Sequence, residues 1–379
     1  MKKTITLLLI AIMTVCALSG CGKTKGSDTT NGKIKVVTTI FPQYDWVKQI
    51  LGDKSDKVDL TLLINKGVDL HSYQPSTSDI AKISEADLFI YVGGESDEWV
   101  DAVLKQTKNK NLKVINLMDI LGDNVVEEEL KEGMQESKHH HDEDEKHDDA
   151  KHEDKHDDHD DHDDAKHEDK HDDHDDAKHE DKHDDHDGDG DKHHHHDGEK
   201  PENDEHVWLS LRNAKLICGK IEEALSEIDK DNTETYKKNY ENYAKKLDEL
   251  DGKYKSTIES SKYKTVIFGD RFPFRYLVKD YNLDYFAAFV GCSAESEASF
   301  DTITFLANKT DALGINNILT IEGAKHKIAD TIIENTKNKN QKVLTMDSMQ
   351  STTSKDIESG ASYLGIMEKN LEVLKQALN

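Results

Sequence analysis

The sequence predicts an α/β protein of two lobes, each a parallel sheet flanked by helices, joined by one long helix. Three observations lead there. β-Branched runs alternate with helical periodicities on both sides of the chain's middle, and such alternation indicates parallel sheets. A charged segment, Asn232 to Ser260, places Tyr236, Tyr240, Tyr243 and Leu247 three and four residues apart, the spacing of one helix face. Between the first run and that segment lies an acidic, histidine-rich stretch almost without apolar residues, which cannot bury a core of its own.

In chain order, Ile34 to Ile40 reads as a strand, and Gln43 to Leu51 as a helix with Trp46, Val47 and Ile50 at helical spacing. Val58 to Leu63 is a second strand. Ser76-Thr77-Ser78-Asp79 supplies capping side chains for a helix over Ile80 to Ala86. Leu88 to Val92 is a third strand closed by Gly93-Gly94, Asp97 to Lys105 a helix, and Lys113 to Leu117 a fourth strand. Beyond the acidic stretch, Asn213 to Ile228 reads as helix and leads into the long one. Thr265 to Phe268 opens the second run, followed by strands at Tyr285 to Phe289, Asn317 to Ile321 and Lys342 to Met346, and Glu368 to Leu378 closes it as a helix. Trp46, Phe89 and Phe274 fall on apolar faces and are expected in the core.

The net charge of −28 is unevenly spread. From Lys138 to His206 there are 32 acidic residues against 10 lysines; the rest of the chain has 46 acids against 40 bases. A nearly balanced body beside a strongly acidic stretch excludes a nucleic-acid partner, which needs a basic surface. Up to Glu205 the stretch holds 18 of the 21 histidines, and an eleven-residue unit starting Ala-Lys-His-Glu-Asp recurs at Ala150, Ala165 and Ala177. It reads as a disordered insertion. Histidine at every third to fifth residue suggests an auxiliary metal-collecting tract, including His139, His140, His141, His193, His194, His195 and His196, with a solvated spacer as the alternative.

At the N-terminus, Lys2 and Lys3 precede an apolar stretch, Thr4 to Leu18, then Leu18-Ser19-Gly20-Cys21. That pattern is a signal peptide, short for a spanning helix. The tetrapeptide resembles a bacterial lipobox, implying cleavage before Cys21 and a diacyl membrane anchor there. The expected organisation is a signal peptide over 1–20, a linker over 21–32 and an N-terminal lobe over 33–135. The insertion covers 136–205, a ligand motif and linking helix 206–262, and a C-terminal lobe 263–379. Cys218 and Cys292 belong to no Cys-x-x-Cys pair; free buried thiols are expected, and a disulfide between them stays open.

Two histidines stand where ligands gather. His71 follows the second strand and precedes a capped helix; in open α/β sheets the crevice beyond the strands' carboxyl ends binds ligands. A loop histidine satisfied by a carbonyl is the bland alternative. His206 opens His206-Val207-Trp208, where the acidic stretch ends and a helix begins. It could be one more tract histidine, but Trp208 needs a folded surface. No HExxH helix, phosphate-cradling glycine loop or nucleophile elbow appears, so no enzyme is expected.

Three motifs resemble the cluster A-I (cluster 9) metal-binding lipoproteins of zinc and manganese importers. They are Asp69-Leu70-His71-Ser72-Tyr73-Gln74-Pro75-Ser76, Glu98-Trp99 after Gly93-Gly94, and His206-Val207-Trp208 through Asn213-Ala214. The resemblance covers essentially the whole mature chain, and a His-rich insertion is a habit of its zinc-binding members. It implies a metal site at the lobe interface and delivery of the ion to the membrane permease of an ABC-type importer. His71 and His206 map onto two ligands. The third falls at Arg271, which cannot bind a cation, so the neighbouring Asp270 is expected instead, with pairing to Arg271 or Arg275 as its alternative role. The fourth is expected at Asp347, with Glu322 the other candidate; Glu295 and Glu297 would line the cleft. Zinc (Zn2+) is preferred, with manganese (Mn2+) as the alternative. An adhesin is the rival of another class, and the linking helix argues against large hinge closure.

Overall fold

The computed structural model describes residues 32–135, 202–293, 297–323 and 325–379. The expected signal peptide, Cys21, Glu295 and the seven tract histidines named above lie outside the described residues.

The first lobe holds β1 (Ile34–Thr38), α1 (Phe41–Leu51), β2 (Val58–Leu62), α2 (Thr77–Ser84), β3 (Leu88–Tyr91), α3 (Trp99–Leu104), β4 (Lys113–Asn116) and α4 (Leu117–Leu121). Then come α5 (Leu211–Ile228) and the long α6 (Thr233–Ser260). The second lobe holds β5 (Thr265–Phe272), α7 (Arg275–Tyr281), β6 (Asp284–Val290), α8 (Phe300–Leu313), β7 (Asn317–Ile321), α9 (Lys327–Asn335), β8 (Lys342–Met346), α10 (Ser354–Glu358) and α11 (Tyr363–Ala377).

Both sheets are parallel and share one topology, β2-β1-β3-β4 and β6-β5-β7-β8. In each, the chain steps first to one side of its opening strand and then to the other. The carboxyl ends around that switch point leave the crevice where α/β sheets bind ligands. Val36, Val37, Leu88, Phe89 and Ile90 are buried, as continuous apolar runs in a sheet covered on both faces should be.

Local chemistry sets the boundaries. α2 begins at Thr77, earlier than the apolar spacing suggests, because Ser76 and Asp79 form a reciprocal capping box. β5 extends four residues past Phe268, with its register against β6 broken between Phe268 and Arg271. Asp270 therefore lies in a strand irregularity and not at a strand end.

α6 has 28 residues, about 42 Å at the usual rise. Its buried stripe, Tyr236, Tyr243, Leu247, Leu250, Tyr254 and Ile258, packs on α1, α5 and α11. One apolar core consequently runs through both lobes, from Val36 and Trp46 through Leu247 to Phe274 and Met367. A smaller cluster, including Ile267, Phe289, Leu306 and Ile332, lies within the second lobe. Trp46, Phe89 and Phe274 are all buried. The Tyr363 amide donates to Asp45 Oδ2 at 3.0 Å and its hydroxyl to the Trp208 carbonyl at 2.7 Å. Trp208 Nε1 in turn donates to the Ser348 carbonyl at 2.8 Å. Among the described residues no helix is long and apolar enough to cross a membrane.

Candidate metal centre

His71 sits on a single helical turn, Leu70–Ser72, after β2, where Asp69 Oδ1 accepts from its amide at 3.0 Å. His206 precedes another such turn, Val207–Leu209, and its amide donates to Asp204 Oδ1 at 2.8 Å. The rings meet: His71 Nε2 lies 3.2 Å from His206 Nε2. Two nitrogens on one tetrahedral zinc, each ~2.0–2.1 Å from it, would stand about 3.3 Å apart.

The opposite ring nitrogens are held. His206 Nδ1 is 3.1 Å from Asp204 Oδ1. His71 Nδ1 is 2.8 Å from Ser96 Oγ and 3.4 Å from Glu205 Oε2. A carboxylate behind Nδ1 fixes the ring, favours a proton there and leaves the Nε2 lone pair for a cation. Ser96 is positioned in turn, its amide donating to Glu205 Oε1 at 2.9 Å. Gly94, with φ of +80°, admits that carboxylate; an added Cβ would collide with it.

His206 is fully buried. Burial disfavours its charged form, but Asp204, with Glu205 and Asp69 behind it, outweighs burial and raises its pKa. Burial pushes the Glu205 carboxyl up, yet His71 and Ser96 bring it below its ordinary value. Asp69, despite its burial, is likewise held below its ordinary value by Arg271 and His71, so negative charge gathers around the two imidazoles, an environment suited to a cation.

Cys292 reaches the pair from the turn after β6. Among the described residues, His71, His206 and Cys292 form the group whose ligand atoms all lie within 4.8 Å of one another. Neither Cys218 nor Cys292 is in a disulfide.

A family model described as zinc-uptake complex component A, periplasmic, matches residues 36–377. The chain belongs to the ZnuA family. It is 28% identical over 372 residues to the high-affinity zinc uptake system protein ZnuA of Bacillus subtilis, covering 98% of this chain and 96% of that one. It is 27% identical to the zinc-binding protein AdcA of Streptococcus pyogenes over 91% of this chain and 56% of that protein. The chain thus spans little more than half the length of the AdcA relatives. Its fold resembles the crystal structure of the Zn(II)-bound ZnuA-like domain of Streptococcus pneumoniae AdcA, with a TM-score of 0.60 and 26% identity. That likeness covers 92% of this chain and 99% of the other.

In this ZnuA-family chain the expected carboxylates Asp270, Asp347 and Glu322 are not members of the group that His71, His206 and Cys292 form. Asp270 accepts from the backbone amide of Arg271 at 2.9 Å and of Ile321 at 3.4 Å, because the irregularity in β5 turns it onto the sheet. Arg271 pairs across the lobes with Asp69 at 2.7 Å, and not with Asp270; its other nitrogen donates to the Ser293 carbonyl. Arg275 pairs with Glu129 at 2.6 Å. Glu322 braces the turn after β8, accepting from the Ser348 amide and hydroxyl, both at 2.7 Å. Asp347 accepts from the Met349 amide at 2.8 Å; burial, with the charge of Glu322, pushes its carboxyl up to about 6. Met349 has φ of +64°, a conformation that costs a non-glycine residue about 1–3 kcal/mol, and it carries the chain on to Gln350. With its amide nitrogen toward Asp69, Gln350 donates to Asp69 Oδ2 at 2.6 Å and its oxygen accepts from His206 Nε2 at 2.5 Å, a hydrogen bond that a cation on Nε2 would replace. Glu297 lines the polar cleft beside Arg271 and Glu322.

Sequence reasoning missed Asp204, Glu205, Ser96 and Gln350. Asp204 and Glu205 were expected within the insertion, yet both are buried, and the Glu127–Asn203 bridge ties their segment to the first lobe. Their one local signal is position, directly before His206.

Proposed function

We propose that this protein captures zinc outside the cytoplasmic membrane, holds it between the lobes and delivers it to the permease of an ABC-type importer. The carrying observation is the 3.2 Å approach of two Nε2 atoms whose Nδ1 partners are already taken up by Asp204, Ser96 and Glu205. The relatives' names point to the same ion: one is a zinc-binding protein, another a zinc uptake protein. The role is binding without catalysis, and the ion is cargo. Cys21 is the proposed diacyl anchor, placing the protein on the extracytoplasmic face. The His/Asp tract is the proposed collector that raises the zinc concentration around the protein.

Because one core joins the lobes through α6, loading and release proceed by small rotations and loop shifts, not by wide closure. Titration calorimetry of the full chain, and of a form lacking residues 138–200, tests the reading. Tight binding of one zinc that survives the deletion is expected. Loss of that binding would move the principal site into the tract.

A further inference from the structure

Among the described residues, the second lobe brings no histidine or carboxylate into the group formed at the imidazole pair, and Arg271 is committed elsewhere. Arg271 is engaged by Asp69 Oδ2 at 2.7 Å and by the Ser293 carbonyl at 3.2 Å. The residue that arrives in its place is Cys292, with His71 and His206 inside a common 4.8 Å. We propose that Cys292 is the second lobe's ligand, giving a His71–His206–Cys292 zinc site in which a thiolate stands opposite the two imidazoles. This deepens the zinc-capture reading and rests on it.

The approach is built into the backbone. Gly291 packs against the His206 ring: an added Cβ would lie 3.0 Å from His206 Cε1 and 3.0 Å from the Phe272 carbonyl oxygen. A side chain there would press on the His206 ring and the Phe272 carbonyl, and glycine lets the turn after β6 come this close without such a shift. The turn is then held, the Cys292 amide donating to Glu128 Oε1 at 2.9 Å. Glu128 belongs to the segment whose amide donates to the Glu202 carbonyl, and the neighbouring Asp204 amide donates to the Val126 carbonyl at 2.9 Å. One small network therefore fixes both the thiol's turn and the acid behind His206.

The chemistry follows from the sulfur. Zinc binding forms the Zn–S bond and breaks S–H, and the proton leaves to solvent. A soft thiolate favours zinc over manganese, whose preference is for oxygen ligands. This chain would accordingly select its ion by one sulfur, with no carboxylate on the metal from Asp270 or Asp347.

X-ray absorption at the zinc edge, on the full chain loaded with one equivalent of zinc, tests this directly. One sulfur at ~2.3 Å beside nitrogen neighbours at ~2.0–2.1 Å is expected; a shell of nitrogen and oxygen alone overturns the assignment. C292S should lose the sulfur shell, bind zinc at least tenfold more weakly and show a narrower zinc-over-manganese ratio. C218S should keep all three properties, and a sulfur shell retained in C292S would also overturn it. The wild-type spectrum needs no variant to fold. Zinc affinity that is unchanged in H206A would defeat the zinc-capture reading itself, whereas a sulfur-free shell with H206A inactive would defeat only the Cys292 assignment.

Discussion

The carboxyl end of the first sheet and that of the second face the same site with the same strand order but different furniture. At the first, His71 is backed by Ser96 and Glu205, and beside it His206 is backed by Asp204. At the second, Asp270 and Glu322 are spent on backbone amides, Asp347 on its own turn, and Arg271 on Asp69. The first end pre-positions lone pairs; the second closes over them with an ion pair and lends one thiol. Topology fixes where ligands can gather, but local turns decide which side chains do.

The hardest blow to that contrast is H206A. It should weaken zinc binding by more than the 10–100-fold typical of losing an outer partner, measured by titration calorimetry, with the circular dichroism spectrum retained. Binding within tenfold of wild type would show that the first sheet's end does not hold the ion.

Asp97 tests the same end through stability. Burial pushes its carboxyl up to about 7 although the Val92 and Gly93 amides bond it. Between about pH 4 and pH 7 the native protein therefore keeps a proton that the unfolded chain has lost, and stability falls as pH rises through that window. D97N cannot titrate there. Its stability relative to wild type should improve from pH 4 to pH 7, by an amount on the order of a few kcal/mol, and level off above. A pH-independent difference in urea unfolding would count against it.

D204N sharpens the comparison by removing the charge behind His206 while keeping its shape. Zinc affinity should fall about 10–100-fold; no change would demote Asp204 to packing. R271M, at the second end, should cost about 1–2 kcal/mol in denaturant unfolding, as a partly exposed ion pair would, and change zinc affinity less than tenfold. Abolished binding would mean that Arg271 shapes the site and does not simply join the lobes.

Much of the frame was legible because composition and periodicity record burial: β1 is a β-branched run whose end is buried, and the long helix α6 repeats the spacing of its buried residues. His71 and His206 were legible by place, one after a strand and the other at the edge of a helix. Asp204 and Glu205 were not, since they end a run made mostly of acids and histidines and only folding tells them from their neighbours. Asp347 was legible only as a strand-end carboxylate, and its contacts follow from the turn it sits in. Past a strand end one backbone turn redirects a side chain, and the positive φ of Met349 carries Gln350 toward the imidazoles while Asp347 stays in its own turn. Cys292 gave no spacing signal because its partners lie 221 and 86 positions away, at His71 and His206; its clue was a thiol directly after Gly291 at the end of a strand.

The continuous apolar core through α6 also governs how the molecule comes apart. With Trp46 against the Tyr363 ring at 5.1 Å and Leu247 in the same cluster as residues of either sheet, opening either half exposes the larger core that both share. Heating should give one calorimetric peak with equal van't Hoff and measured enthalpies, and zinc should move that peak upward as a whole.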